Sequence, residues 1–151
     1  MRILKQRALV IAVCALLVAS CATAPDDKPA PPSIQWQSVA KTDTQEAFID
    51  IASIVAAGAY LEASVKYEFA APQPWEGDKT YSSVASLVRA DCAGQRMADR
   101  ETKTYAAPGL QGDVVRKASR SEKNLIWYAA TRPTVVGEVL AAICRRAPAA
   151  P

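Results

Sequence analysis

The side chains best equipped for chemistry in this chain are its four cysteines, and no histidine accompanies them. That absence removes the commonest general base, the Ser-His-Asp and Cys-His nucleophile arrangements, and the commonest zinc ligand. Cys14 lies inside an apolar N-terminal run and Cys21 just after it. Cys92 and Cys144 remain as an even pair, the usual parity of a disulfide in an exported protein. The alternatives, two free thiols or half of a metal site, lack any further Cys or His to complete them. A Cys92–Cys144 bridge closes a loop of roughly 50 residues, which in the chain-entropy description contributes about 4 kcal/mol. The sequence contains no Gly-rich phosphate loop, no Gly-x-Ser-x-Gly elbow and no metal-spaced ligand cluster. No pair of carboxylates is marked out for acid–base work. The expectation is therefore no enzyme, no catalytic residue, no cofactor and no metal. A pocket holding two carboxyl groups roughly 5–10 Å apart would revive a glycan hydrolase.

The two remaining cysteines belong to an export signal. Arg2, Lys5 and Arg7 precede an uncharged run, Ala8–Ala19. A span of about 12 residues is too short for a bilayer, which takes roughly 20, and has the length of a secretory h-region. The run ends in Val18-Ala19-Ser20-Cys21, which resembles the lipobox of bacterial lipoproteins. That resemblance implies a signal peptide over residues 1–20, cleavage before Cys21, and acylation of Cys21. Several acyl chains at about 0.8 kcal/mol per buried methylene give a lasting anchor in the lipid bilayer. Asp after the cysteine favours inner-membrane retention in Gram-negative lipoproteins, so Ala22 points to the outer membrane. Residues 21–33 hold Pro25, Pro29, Pro31 and Pro32 and no large apolar residue. They read as a semi-rigid tether, with the folded domain over 34–146 and a short flexible tail over 147–151.

The net charge of +3 belongs to the precursor. Without Arg2, Lys5 and Arg7, the eighteen basic residues fall to fifteen, equal to the fifteen acidic ones. A neutral domain lacks the surplus of cations that nucleic-acid binding needs. Contact with another macromolecule is a better use of the available residues. Trp75 sits in Ala71-Pro72-Gln73-Pro74-Trp75-Glu76-Gly77-Asp78, a hairpin loop. There it either contacts a partner or folds back against the end of the sheet, the commoner fate of a large aromatic. Arg116, Lys117, Arg120 and Lys123 form a basic stretch, either a solvated face or a surface for an acidic partner or anionic polysaccharide. Trp36 and Trp127 are expected in the core. Asp50, near Ser53, and Asp91, beside Cys92, read as turn or ladder partners.

Strands followed by one helix must position these residues. In Tyr60–Phe69, Leu61, Ala63, Val65, Tyr67 and Phe69 alternate with Glu62, Ser64, Lys66 and Glu68, a strand with one wet face. Ser82–Cys92 is a second strand, with Val84, Val88 and Cys92 on one side. Ile34–Ala40, Gln95–Tyr105, Val114–Ala118 and Leu125–Ala129 follow as further candidates. Ala47–Val55 suits a helix face or a strand, the latter pairing with Tyr60–Phe69 through a turn near Gly58. After Pro133, Thr134 caps a helix whose Val136, Val139, Leu140, Ile143 and Cys144 make one apolar stripe. Strands followed by a terminal helix give an α+β domain.

The order of these features resembles the surface-adhesin protein E family of small bacterial lipoproteins. The matching pieces are Trp36, then Phe48-Ile49-Asp50-Ile51-Ala52-Ser53-Ile54, then Ala90-Asp91-Cys92, Trp127, Pro133-Thr134, and Val139 to Cys144. Phe48 stands where Tyr is common, Thr134 replaces Ser, and Arg132-Pro133 replaces Pro-Gly. The resemblance implies about six antiparallel strands, with the C-terminal helix held on the concave face by the Cys92–Cys144 bridge. It also favours a strand at Ala47–Val55. For function it implies an outer-membrane-anchored lipoprotein that binds host or surface macromolecules, such as an extracellular-matrix protein. The alternative is a periplasm-facing lipoprotein with a structural or accessory role. Open sheet edges would also allow a homodimer.

Overall fold

The computed structural model describes residues 33–146. The expected signal peptide over 1–20, the expected acylation site Cys21, the expected tether up to residue 32 and the expected tail over 147–151 lie outside the described residues.

Six antiparallel strands run in the order β1 (Trp36–Lys41), β2 (Gln45–Asp50), β4 (Tyr60–Pro74), β5 (Thr80–Asp91), β6 (Arg96–Ala107), β7 (Gln111–Ser119). Two short strands join them: β3 (Val55–Ala57) pairs with β4, and β8 (Tyr128–Ala129) with β6. Helix α1 (Val135–Arg145) ends the described fold and packs over β1, β2, β4 and β5. The α+β reading therefore holds, with β1 and β7 as the two sheet edges.

The alternation in β4 decides which face is the core. Ala63 and Val65 are fully buried, Leu61 and Tyr67 pack beside them, and Ile49, Val88, Ala90 and Met97 complete the layer from neighbouring strands. α1 closes this layer with Val139, Leu140, Ala142 and Ile143, the stripe spaced for one helix face. Its start is capped as expected: the Thr134 hydroxyl accepts the Gly137 N–H at 3.1 Å. The first turn sits so close to the preceding chain that a Cβ on Gly137 would lie 2.6 Å from the Arg132 nitrogen. The Cys92–Cys144 disulfide joins the end of β5 to the last turn of α1, with Cα atoms 5.9 Å apart.

Three expectations change. Ala47–Val55 is not one strand: after β2 the chain turns through a single 3-10 turn, Ile51–Ser53, before β3. The Asp50 carboxylate makes that turn by accepting the Ala52 N–H at 3.2 Å and the Gln35 N–H at 3.0 Å. Ser53 donates to the Asp50 carbonyl at 2.6 Å and accepts the Ser64 N–H at 2.8 Å, tying the turn to β4. Within Leu125–Ala129 only Tyr128–Ala129 forms a strand. Trp36 and Trp127 are half-buried and outside the core. Trp36 lies on the sheet face away from α1, and Trp127 stacks on Tyr60 with ring centroids 4.9 Å apart, beneath the Arg96 guanidinium.

Candidate functional site

The face of the sheet away from α1 is built by the second half of each alternation. Register places Ser38, Phe48, Lys66, Ala85, Lys103 and Lys117 in one row across all six long strands. The neighbouring row on β4, β5 and β6 is Ser64, Leu87 and Glu101. The polar residues of β4 are less wet than the sequence suggests: the Glu62, Lys66 and Glu68 side chains keep 18%, 14% and 19% of their exposure. Lys66 is held by the Glu68 carboxylate at 3.1 Å and by the rings of Phe48 and Trp36, whose centroids lie 4.2 and 5.6 Å away. Towards the Cys92 end, one oxygen of Glu62 receives both Arg89 at 3.0 Å and Arg100 at 2.8 Å. Glu122 adds a second carboxylate to Arg89 at 3.2 Å.

These rows leave an open groove of about 320 Å³. Ser64, Ala85 and Leu87 line its floor, Ile34 and Trp36 flank one side, and Glu101 and Lys103 flank the other. One end is closed by Leu110. The turn that brings Leu110 there has two consecutive left-handed residues, Gly109 at φ 72° and Leu110 at φ 60°. It is fixed to the sheet because Gly109 N–H donates to the Glu68 carboxylate at 2.9 Å and Leu110 N–H to the Ser83 hydroxyl at 3.1 Å. Pro108-Gly109 is a turn signal visible in sequence, but nothing local says that the turn folds over the sheet.

A second feature lies at the tip of the β4–β5 hairpin. Trp75 N–H donates to the Lys79 carbonyl at 2.8 Å. The indole meets Tyr81 edge-on with centroids 6.1 Å apart, and Tyr81 meets Phe69 the same way at 5.4 Å. Arg116 on β7 lies over the Trp75 ring, its guanidinium carbon 5.0 Å from the centroid. Trp75 therefore packs on the hairpin and remains half-exposed.

The basic stretch is divided by the strand that carries it. Arg116 lies opposite Thr104, on the α1-bearing face, whereas Lys117 lies opposite Lys103, on the other face. Arg120 follows the strand and acts on Asp99, whose carboxylate it favours in the charged form. Lys123 sits in the 3-10 turn Glu122–Asn124. Trp75 and Arg116 are brought together; Lys117 and Arg120 are not part of that pair.

Among titratable groups, Asp99 is the unusual one. Burial raises its carboxyl above the ordinary range, while the Ser86 and Tyr128 hydroxyls and the Arg120 charge oppose the shift. Burial and the same carboxylate push the Tyr67 and Tyr128 hydroxyls up. Asp91 moves the other way: the Gly94 N–H and Arg96, each at 2.8 Å, hold it below the ordinary carboxylate range. It is a turn partner, as expected. Among the described residues, no three His, Cys, Asp or Glu side chains gather in a way that would hold a metal ion.

The family model described as surface-adhesin protein E matches residues 36–145. Two solved structures of Haemophilus influenzae protein E are similar in fold. One superposes with a TM-score of 0.50 at 16% identity, covering 76% of this chain and 89% of that one. The other, crystal form II, gives a TM-score of 0.52 at 16% identity, covering 76% of this chain and 92% of that one. No curated protein matches the chain in sequence.

Proposed function

Because the chain belongs to the surface-adhesin protein E family, we propose that it is an outer-membrane-anchored lipoprotein whose domain binds host or surface macromolecules by protein–protein contacts. The observation that carries this reading is the family match over residues 36–145, which takes in every strand and all of α1. An adhesin is a binding protein rather than an enzyme class, in keeping with a chain that lacks histidine.

Anchoring rests on sequence. Val18-Ala19-Ser20-Cys21 supplies the acylation site, Ala22 favours the outer membrane, and residues 21–33 give the domain reach. At about 3.1 Å per residue in an extended proline-rich conformation, that reach is some 30–40 Å from the lipid. The Cys92–Cys144 bridge suits an oxidising compartment. For the partner contact, Trp75 and Arg116 are the natural anchors. Both belong to the residue types enriched in interface hot spots, and they already share one stack, Trp75 at the tip of the β4–β5 hairpin and Arg116 reaching it from β7. Lys117, on the exposed edge strand, adds charge for steering a partner.

Two measurements test this. Cys21→Ala should move the protein from the membrane fraction to the soluble fraction; a variant that still pellets with outer membranes contradicts the anchor. Binding of the protein to a panel of immobilised extracellular-matrix proteins should be weakened by Trp75→Ala with Arg116→Ala by about 30-fold or more, the scale of a central hot spot. An unaffected affinity removes the hairpin tip from the contact.

A further inference from the structure

We propose that the groove on the sheet face away from α1 is a docking site for an extended peptide segment that presents an apolar side chain followed by carboxylates. This site shares only Lys117 with the contact proposed above, uses neither Trp75 nor Arg116, and does not rest on the adhesive reading.

The floor is short side chains, Ser64 and Ala85, beside the apolar Leu87, and it leaves about 320 Å³ open. Trp36 gives that space an aromatic side wall. Lys66, at the foot of the wall, already has its carboxylate in Glu68. The opposite side is different. Lys103 and Lys117 face each other directly across β6 and β7. Both are exposed, and among the described residues neither has a carboxylate within ion-pair distance. Like charges opposed across an antiparallel pair repel each other, and a carboxylate between them would relieve that repulsion. Glu101 sits one row away, opposite Ser119, so it shifts the favourable position for an acid towards the Lys103–Lys117 pair.

The dimensions fix the ligand's spacing. Ala85, Lys103 and Lys117 lie on adjacent strands in one row. At about 4.8 Å per strand, the midpoint of the cation pair lies about 7 Å from the Ala85 floor, or two residues of extended chain at about 3.3 Å each. Residues two apart in an extended chain point to the same side, so an apolar side chain in the groove and an acidic one two positions along would be held together. A peptide fits better than a sulfated polymer, because most of the groove is apolar and its lining also holds Asp50 and Glu101, which would repel a polymer charged along its whole length, while Lys103 alone offers a cation there.

The test is fluorescence anisotropy with the full chain in a non-ionic detergent and a dye-labelled nonapeptide, in which a central leucine is followed two positions later by two aspartates. The controls carry lysines for the aspartates, or serine for the leucine. The acidic peptide should bind at least tenfold more tightly than either control. Lys103→Glu with Lys117→Glu should invert the preference towards the lysine peptide, a reversal that mere loss of folding does not produce. Ala85→Phe should weaken binding tenfold or more, and Trp75→Ala with Arg116→Ala should leave it unchanged. Equal binding of acidic and basic peptides, no inversion, or loss of binding in the hairpin-tip variant would overturn the proposal. Binding only after deletion of residues 24–32 would also overturn it, by making the chain's own proline-rich segment the occupant. Protection of the domain from protease on intact cells would end the outward-facing reading and leave the peptide result standing.

Discussion

Replacing both bridge cysteines, Cys92→Ser with Cys144→Ser, should destabilise the domain mainly through its unfolded state. The two positions are separated by 52 residues. In the chain-entropy description, a loop of that size removes about 14 cal/mol/K from the unfolded ensemble, about 4 kcal/mol at 25 °C. Unfolding entropy near the midpoint is about 2.1 cal/mol/K per residue, or about 0.23 kcal/mol/K for a domain of roughly 110 residues. The midpoint should therefore fall by about 15–20 °C. The helix itself should stay docked at 25 °C. Val139, Leu140 and Ile143 are at most 4% exposed, and each buried side chain of this size contributes about 1.5–3 kcal/mol. Scanning calorimetry of the oxidised protein, the reduced protein and the double variant measures the shift, and far-UV circular dichroism reports on the helix. Reduced protein and double variant should melt together. A drop below about 5 °C would refute the loop-entropy origin of the effect. Loss of helical signal at 25 °C would mean that the bridge, rather than the apolar stripe, holds α1 on the sheet.

Three further outcomes follow from single side chains. Gly137→Ala, which in an open helix would gain up to about 1 kcal/mol, should instead cost about 1–3 kcal/mol in urea unfolding, because the new methyl meets the Thr131–Arg132 backbone; a raised midpoint would contradict that close approach. Thr134→Ala should lose about 1 kcal/mol with Thr134→Ser restoring most of it, since the hydroxyl caps Gly137; equal melts for all three proteins would remove the cap. Asp99→Asn should stabilise at pH 7. A carboxyl whose folded pKa is raised loses stability as pH climbs from its ordinary value near 3.8 through the raised one, so the advantage of Asn should shrink as pH falls towards that range. An advantage that grows on acidification would reverse the sign of the burial effect.

The legible parts of this fold are those written in local pattern. Period two in Tyr60–Phe69 named the core face of β4, and the spacing of Val136 to Cys144 named the buried side of α1. Thr134 and Pro133 marked the helix start, and the parity of Cys92 and Cys144 marked the bridge. What was hidden depends on partners far along the chain. The Asp50 turn is set by Gln35 and Ser64 as much as by its own neighbours. Trp36 looked like core because aromatics usually are. Register puts it on the other face, where Lys66 covers its ring. The basic run reads as one patch in sequence, but adjacency in sequence is not adjacency in space. A strand sends Arg116 and Lys117 to opposite faces, and only the pairing of β6 with β7 reveals that Lys103 meets Lys117. The groove could not be read at all, since its end wall is a left-handed turn folded over the sheet by Glu68 and Ser83.

The central claim, a lipid-anchored binding domain facing outward, is tested most directly by protease shaving of intact cells with a periplasmic lipoprotein as control. Cleavage within residues 34–146 while the control survives is the predicted result. Protection of that region until the outer membrane is opened would contradict adhesion and place the partner inside the envelope.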